Sequence, residues 1–295
     1  MNILLTGKNG QVGFELQRAL APLGVVHAVD SRDCDLADAQ ALRELIRKVH
    51  PQVIVNAAAY TAVDRAEQEP GAAMAINAVA PGVMGEEAAR LGATVVHYST
   101  DYVFDGQKDS PYRETDTCSP LSVYGHSKRD GEAALVRSTP QHLIFRTCWV
   151  VGAHGQNFAK TMLRLAQERD ELRVVNDQWG SPTSAALIAD ITAHVVRQLQ
   201  QTRGHVFPFG LYHLSAAGET TWYAYARFVL DQAAQRGRTH RIASDRIEAI
   251  SSEQYPTLAK RPSNSRLDTA HLRQTFGLTL PHWQQGLHHI LDQIL

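Results

Sequence analysis

The chain predicts an α/β fold organised as a doubly wound parallel sheet, and three observations carry that expectation. Short apolar runs recur at Ile3-Leu4-Leu5, Val25 to Val29, Val53-Ile54-Val55 and Thr94 to Tyr98. They lack polar alternation, as strands buried on both faces of a parallel sheet require. Amphipathic helical stretches separate them, which is the rhythm of repeated βαβ units. The first run leads directly into Gly7-Lys8-Asn9-Gly10-Gln11-Val12-Gly13, a glycine-rich turn placed to open a helix.

Each element follows in order. No basic region precedes Ile3, so the opening run reads as a strand rather than a signal peptide. After the turn, Val12, Leu16, Ala19 and Leu20 fall on one helix face. Gly7, Gly10 and Gly13, with Gln11 and Val12 between them, allow a tight turn, close approach to a pyrophosphate and close helix–strand packing. A Walker loop is excluded, because Gly7-Lys8 has no upstream glycine and is followed by Asn9. The second strand ends at Asp30, about 20 residues beyond the glycines, where an acid accepts from adenosine ribose hydroxyls and favours NAD. Arg32 suits a 2′-phosphate, so NADH and NADPH both stay open. Asp35 and Leu36 are expected near the adenine, and Asp38 as the N-cap of a helix over Ala39–His50, ended by Pro51. The third strand runs into Asn56-Ala57-Ala58-Ala59-Tyr60-Thr61. Small residues there let a flat cofactor lie on backbone, which assigns Ala58, Ala59, Tyr60 and Thr61 to it. A long helix is expected over Gly71–Leu91, with Asn77 on a mostly apolar surface.

The fourth strand ends at Ser99-Thr100-Asp101, on the ligand side of such a sheet. Thr100 and Ser99 should point to opposite faces. A loop rich in Asp, Gly and Pro then reaches Tyr124-Gly125-His126-Ser127-Lys128. Tyr124 and Lys128 share one helix face. A phenol beside an ammonium is a proton donor with a lowered pKa, suited to protonating a carbonyl oxygen during reduction. Tyr-x-x-x-Lys is weak evidence alone; its place after a glycine turn and a hydroxyl-bearing strand end gives it weight.

Beyond Arg146-Thr147 the alternation is less even. Residues 1–148 are therefore read as the dinucleotide-binding domain. Residues 149–295 are read as a smaller, mainly substrate-binding α/β region, with some segments returning to the first domain. Trp149 follows a strand over His142–Thr147, and Asn157-Phe158 opens an amphipathic helix. Asn176 to Thr183 is a turn-rich loop in which Trp179 offers a stacking surface for a base. Leu211 to Leu214 reads as a strand, and Thr220 or Thr221 as the cap of a helix over Trp222–Leu230. Arg261 and Arg266 are two fixed cations in one loop, suited to a diphosphate.

Bulk properties narrow the classes. With 295 residues, 44% hydrophobic, the chain can bury a substantial core. A net charge of −1 gives no basic field for nucleic acid or membrane, and no apolar run is long enough to span a bilayer. Cys34, Cys118 and Cys148 are odd in number and far apart, which fits a reduced, cytoplasmic compartment. None of the 14 histidines sits in a metal-binding spacing, so no metal ligand is assigned.

The motifs together resemble the extended short-chain dehydrogenase/reductase family, with its Rossmann-type fold. GKNGQVG, the NAAA run, STD and YGHSK stand in that family's order over nearly the whole chain. The resemblance is closer to one branch, the dTDP-4-dehydrorhamnose reductases. It rests on Ser99–Gly106, Ser119–Lys128, Phe145–Val150, Asn157–Leu163, Asn176–Thr183 and Arg261–Leu267. That branch implies NAD(P)H-dependent reduction of the C4 keto group of a dTDP-4-dehydro-6-deoxy-L-mannose to dTDP-L-rhamnose, for cell-surface polysaccharide. It implies Tyr124 as general acid, Lys128 on the nicotinamide ribose and lowering the Tyr124 pKa, and Thr100 on the reacting oxygen. The implied substrate residues are Thr100, Asp101, Trp149, Asn157, Trp179, Arg261 and Arg266. Similar sugar-nucleotide dehydratases carry an Asp-Glu pair after the threonine; here Tyr102 follows Asp101, which favours simple hydride transfer. Two rivals stay open, a non-catalytic NADP-binding regulatory subunit of the same branch and a sugar-nucleotide epimerase. The resemblance also implies homodimers bridged by Mg²⁺ through glutamates. Glu15 matches one position, but Ala186 stands at the second and no acid matches near His288, which leaves the homodimer open and puts the metal bridge in doubt.

Overall fold

A computed structural model describes residues 1–202 and 207–295. β1 (Asn2–Thr6) passes through the glycine turn into α1 (Gln11–Leu20), followed by β2 (Val25–Val29), α2 (Ala39–Val49) and β3 (Val53–Asn56). Next come α3 (Val63–Ala66), α4 (Pro70–Met74), a π-helical segment over Ala75–Val79 and α5 (Ala80–Leu91). β4 (Thr94–Thr100), α6 (Val123–Ser138) and β5 (His142–Thr147) follow. The remainder holds β6 (Val150–Val151), α7 (Phe158–Glu168), β7 (Arg173–Val175), β8 (Trp179–Gly180), β9 (Thr183–Ser184) and α8 (Ala185–Gln201). It ends with β10 (Gly210–His213), β11 (Thr220–Thr221), α9 (Trp222–Gln235), β12 (Glu248–Ile250), α10 (Ala270–Phe276) and α11 (Trp283–Ile294).

The central sheet has six strands in the order β10-β5-β4-β3-β1-β2, all parallel. β1 is paired on one side with β2 and on the other with β3, Thr6 lying opposite both Val29 and Asn56. The chain reverses its direction of growth beside β1, so the carboxyl ends of β1 and β3 flank the crevice where such sheets bind ligands. Both faces are covered, as the unalternating strands require. Ile3, Leu5, Val55, Val96 and Phe145 join Leu16 and Leu20 of α1 and Ile188 and Val195 of α8. Their immediate neighbours Leu4, Ile54, Val95 and Ile144 face the other way, onto Leu42 and Ile46 of α2, Met84 of α5 and Leu135 of α6.

The C-terminal half divides its loyalty. β10 extends the central sheet by pairing with β5. A separate core forms where Met162 and Leu163 of α7, Tyr225 and Val229 of α9, and Leu287 and Ile290 of α11 meet.

The helix expected as regular over Gly71–Leu91 is interrupted. Pro81 has no N–H to give the carbonyl of Asn77, so the ladder loosens into the π segment there. Asn77 uses the irregularity. It is buried, accepts from Tyr60 N (2.8 Å) and donates to Tyr60 O and Ser127 Oγ (both 3.0 Å). α6 is thereby tied to the loop after β3.

Candidate active site

A cleft of about 600 Å³ opens at the carboxyl ends of β1, β3 and β4. Of the expected cofactor residues, Gly7, Gly10, Gln11, Val12, Asp30, Asp35, Leu36, Ala58, Ala59, Thr61, Tyr124 and Lys128 line it. Gly13, Arg32 and Tyr60 do not. Gly13 lies under the turn instead: a β-carbon there would stand 2.0 Å from the Gly7 carbonyl oxygen. Gly7 has φ +76°, and a β-carbon would meet Ala58 N at 2.7 Å. Gly10 caps α1 with no side-chain hydrogen bond, so the helix's first N–H groups face the cleft free to meet an anion. These residues fit a dinucleotide pyrophosphate.

Asp30 follows β2 as expected, but it is already engaged. Its carboxylate accepts from Asn9 Nδ2 (2.5 Å), Arg32 N (2.9 Å) and the Arg32 guanidinium (2.8 Å). The Arg32 bond holds it well below the usual carboxylate range. Arg32 is bound to Asp30 with its side chain 84% exposed. Tyr60 turns its hydroxyl to Glu69 (2.6 Å).

α6 carries the Tyr and Lys. Ser122 caps it, its hydroxyl accepting from Gly125 N at 3.2 Å. A β-carbon on Gly125 would lie 2.2 Å from the Tyr102 carbonyl, so the missing side chain lets this helix start press on the loop after β4. Tyr124 reaches the cleft there, half-buried, and the Thr100 hydroxyl acts on its phenol. Thr100 Oγ1 accepts from Tyr102 N (3.1 Å) and meets Asp101 Oδ1 (3.2 Å). Tyr102 packs edge-on against Tyr124, centroids 5.6 Å apart.

One expectation is overturned. Lys128 does not lower the Tyr124 pKa. Desolvation pushes that phenol up to about 12, the Thr100 hydroxyl opposing and Asp101 adding to the rise. The ammonium is spent elsewhere: Lys128 is 2% exposed and donates to the Tyr98 carbonyl at 2.6 Å. Burial pushes Lys128 itself down to about 8, with Glu132 opposing. Asp101 is pushed up to about 7, because burial outweighs the opposing pull of the Ser265 and Thr100 hydroxyls. Its Oδ2 is buried without a partner. Ser99, expected to face away, lines the cleft, and its hydroxyl is also unpartnered.

None of the expected substrate residues lines this cleft, though Thr100 and Asp101 both act on Tyr124 from the end of β4. Trp149 has φ +46° and stacks on Trp222 at 3.6 Å. Gly180 makes room, since a β-carbon there would sit 2.4 Å from the Trp149 ring. Asn157 caps α7 and donates to Gln11 Oε1 at 3.0 Å, linking that helix to the glycine turn. Trp179 is 41% exposed, with the Arg266 guanidinium 5.9 Å over its ring. The loop arginines are not free cations. Arg261 pairs with Asp64 and Arg266 with Glu219, each at 3.0 Å, because acids from distant segments close on both.

Glu15 sits beside Arg18 (3.4 Å), which also reaches Asp190. Among the described residues no group of three or more His, Cys, Asp or Glu could hold a metal, and no helix is long and apolar enough to cross a membrane. The sequence pattern missed Asn9, Cys34, Ile76, Thr147, Val150 and Gln156, which also line the cleft. Asn9 had a signal, lying inside the glycine turn; Val150 and Gln156 arrive from beyond β5 and had none.

Comparison with known proteins places this geometry. The family described as "RmlD substrate binding domain" matches residues 1–295. The chain is 50% identical over 298 residues to the dTDP-4-dehydrorhamnose reductase of Shigella flexneri, covering 100% of this chain and 98% of that protein. It is 51% identical, with the same coverage, to that of Salmonella typhimurium. A crystal structure of a dTDP-4-dehydrorhamnose reductase from Clostridium acetobutylicum aligns with TM-score 0.90 at 34% identity over 99% of each chain. One from Bacillus anthracis, in complex with NADP, aligns with TM-score 0.88 at 32% identity, also over 99% of each. A match over the full length, at this identity, means that the chain belongs to the RmlD substrate binding domain family, alongside the dTDP-4-dehydrorhamnose reductases.

Proposed function

We infer that this protein reduces the C4 keto group of dTDP-4-dehydro-6-deoxy-L-mannose to dTDP-L-rhamnose, using NADPH or NADH. The observation that carries the chemistry is the Tyr124 phenol at the wall of the glycine-turn cleft, with the Thr100 hydroxyl acting on it. The identity of the sugar nucleotide is supported by the full-length relatives.

The glycine turn and the N-terminus of α1 would hold the pyrophosphate, Asp35 and Leu36 the adenine, Asp30 or Arg32 the adenosine ribose, and Lys128 the nicotinamide ribose. When bound, the reduced nicotinamide supplies the hydride. Tyr124 then donates its phenolic proton to the carbonyl oxygen as that oxygen gains charge, a contribution of about 10²–10⁴ in rate. A phenol raised to about 12 stays loaded with its proton throughout the neutral range. Thr100, anchored by Tyr102 N and Asp101, orients the oxygen toward Tyr124. Tyr102 stands where a dehydratase would need a second carboxylate, which leaves hydride transfer as the supported chemistry.

The sugar nucleotide is proposed to lie between residues 1–148 and segments of 149–295. Asp101 would meet a sugar hydroxyl, Trp149 and Asn157 the sugar side, and Trp179 the base. Arg261 and Arg266 would reach a diphosphate by exchanging Asp64 and Glu219 for it. A cytoplasmic location suits the reduced cofactor and the free thiols. The test is the absorbance of reduced nicotinamide on mixing with enzymatically generated dTDP-4-dehydro-6-deoxy-L-mannose. Oxidation that depends on the sugar nucleotide supports the reading; cofactor binding without oxidation overturns it.

A further inference from the structure

A buried polar chain connects the strand before the glycine turn to Lys128. Thr6, Asn56, His97 and Lys128 are each no more than 2% exposed. Thr6 Oγ1 lies 2.7 Å from Asn56 Oδ1, Asn56 Nδ2 3.0 Å from His97 Nδ1, and His97 Nε2 3.2 Å from Lys128 Nζ. The direction of the whole chain follows from one group that has no choice. A backbone N–H can only donate, and that of Ala58 meets Asn56 Oδ1 at 3.3 Å. The Asn56 oxygen therefore faces the turn, and its Nδ2–H faces His97. Nδ1 must accept. Burial first, and the Lys128 charge second, hold the imidazole well below its ordinary pKa, so it is neutral and its single proton sits on Nε2. That N–H points at Lys128 Nζ. It can bond to an amine lone pair, whereas against an ammonium it sets donor against donor.

We propose that His97 is a positioning residue whose Nε2–H opposes the charged form of Lys128 and couples that charge to the backbone of Ala58, in the floor of the cleft. The proposal deepens the reductase reading and rests on it for the role of Lys128. The other titratable groups around Lys128 are on its own helix or the adjoining strands. Tyr124 lies one turn away, Glu132 one turn beyond and committed to Arg146 of β5, and Asp101 acts on Tyr124 from the end of β4. His97 is the one of these whose ring nitrogen lies within hydrogen-bond distance of Nζ. Its tautomer, set by Asn56, thus decides whether Lys128 finds a donor or an acceptor.

The test begins with the ¹⁵N spectrum of the full-length protein labelled at the imidazole nitrogens. The His97 signals are assigned by their loss in His97→Asn. The expected result is a protonated Nε2 and a bare Nδ1 through the neutral range; a protonated Nδ1, or an imidazolium, overturns the proposal. In His97→Asn the amide oxygen can replace Nδ1 as the acceptor for Asn56, but nothing stands at Nε2. The alkaline limb of kcat/KM should then move up by about one pH unit, as expected when a neighbouring donor that disfavours the ammonium is removed. A folded variant of near-native Tm with an unmoved limb overturns the coupling. Asn56→Asp is the second variant, close in volume. Its added carboxylate oxygen should draw the proton to Nδ1, and a His97 that keeps Nε2–H there also refutes the account. The ¹⁵N reading does not need turnover, so a protein inactive on the keto sugar would sink the reductase reading and leave this one standing.

Discussion

Tyr124→Phe isolates the proton donor. The ring stays, so the edge contact with Tyr102 at 5.6 Å and the packing of α6 on the loop after β4 are kept. What is lost is one hydroxyl and its interaction with Thr100. For stability that is a single hydrogen bond, about 0.5–1.5 kcal/mol. For catalysis it is the group assigned to protonate the alkoxide, worth about 10²–10⁴ in rate, or about 3–5 kcal/mol of barrier. The two costs differ enough to separate. Steady-state oxidation of reduced nicotinamide with the keto-sugar nucleotide should fall by at least about 10²-fold. Cofactor affinity, read by fluorescence titration, should stay within a few-fold, because the phosphate turn and the Ala58–Thr61 floor are untouched. Turnover within tenfold of the native protein would refute the assignment of Tyr124. Loss of cofactor binding would refute the claim that the phenol serves only the chemistry.

Three other outcomes are expected. Gly13→Ala puts a β-carbon 2.0 Å from the Gly7 carbonyl oxygen. Since both partners are backbone, the turn must open, at about 1–3 kcal/mol or more; a cofactor Kd within twofold of native would count against the cradle. Glu132 and Arg146 form a buried bidentate pair at 2.8 and 2.6 Å, so Glu132→Ala strands a guanidinium and should cost about 3–5 kcal/mol in denaturant unfolding. Asp101 has a carboxyl raised in the folded state to about 7. The native protein therefore binds more protons there than the unfolded chain, and this group lowers stability as pH climbs from its ordinary range to about 7. Asp101→Asn should lack that loss, so the Tm difference between variant and native should shift in the variant's favour from pH 4 to pH 8; a difference that stays flat would show the carboxyl to be unperturbed.

What was legible in the sequence was local. The glycine turn, the Asp38 cap and the strand ends at Asp30 and Thr100 are set by neighbours a few residues away, and period and cap chemistry report them directly. The alternation of Ile3 and Leu5 against Leu4 across the two faces was implicit in a strand without polar positions. What was not legible depends on partners remote in sequence. Arg261 reads as a free cation until Asp64 arrives from 197 residues away. Arg266 does so until Glu219 closes on it. Val150 and Gln156 enter the cleft only because the segment after β5 folds back over it. The π segment was half-legible: Pro81 announced a missing donor, but only the position of Tyr60 shows what Asn77 does with the slack.

The electrostatics of the catalytic pair show the same division at finer scale. Spacing puts Tyr124 and Lys128 on one helix face, and a charge one turn away should make the phenol more acidic. Distance along a helix does not set that coupling; depth and competing partners do. Lys128 lies deeper, its ammonium drawn to the Tyr98 carbonyl at 2.6 Å, while desolvation dominates at Tyr124. The phenol therefore keeps its proton through the neutral range. The groups that change charge near neutrality are its neighbours, Asp101 at about 7 and Lys128 at about 8. The pH dependence of reduction should report those two and not the acid that does the protonating. That is what a reductase needs: a donor loaded in advance, with its surroundings free to titrate.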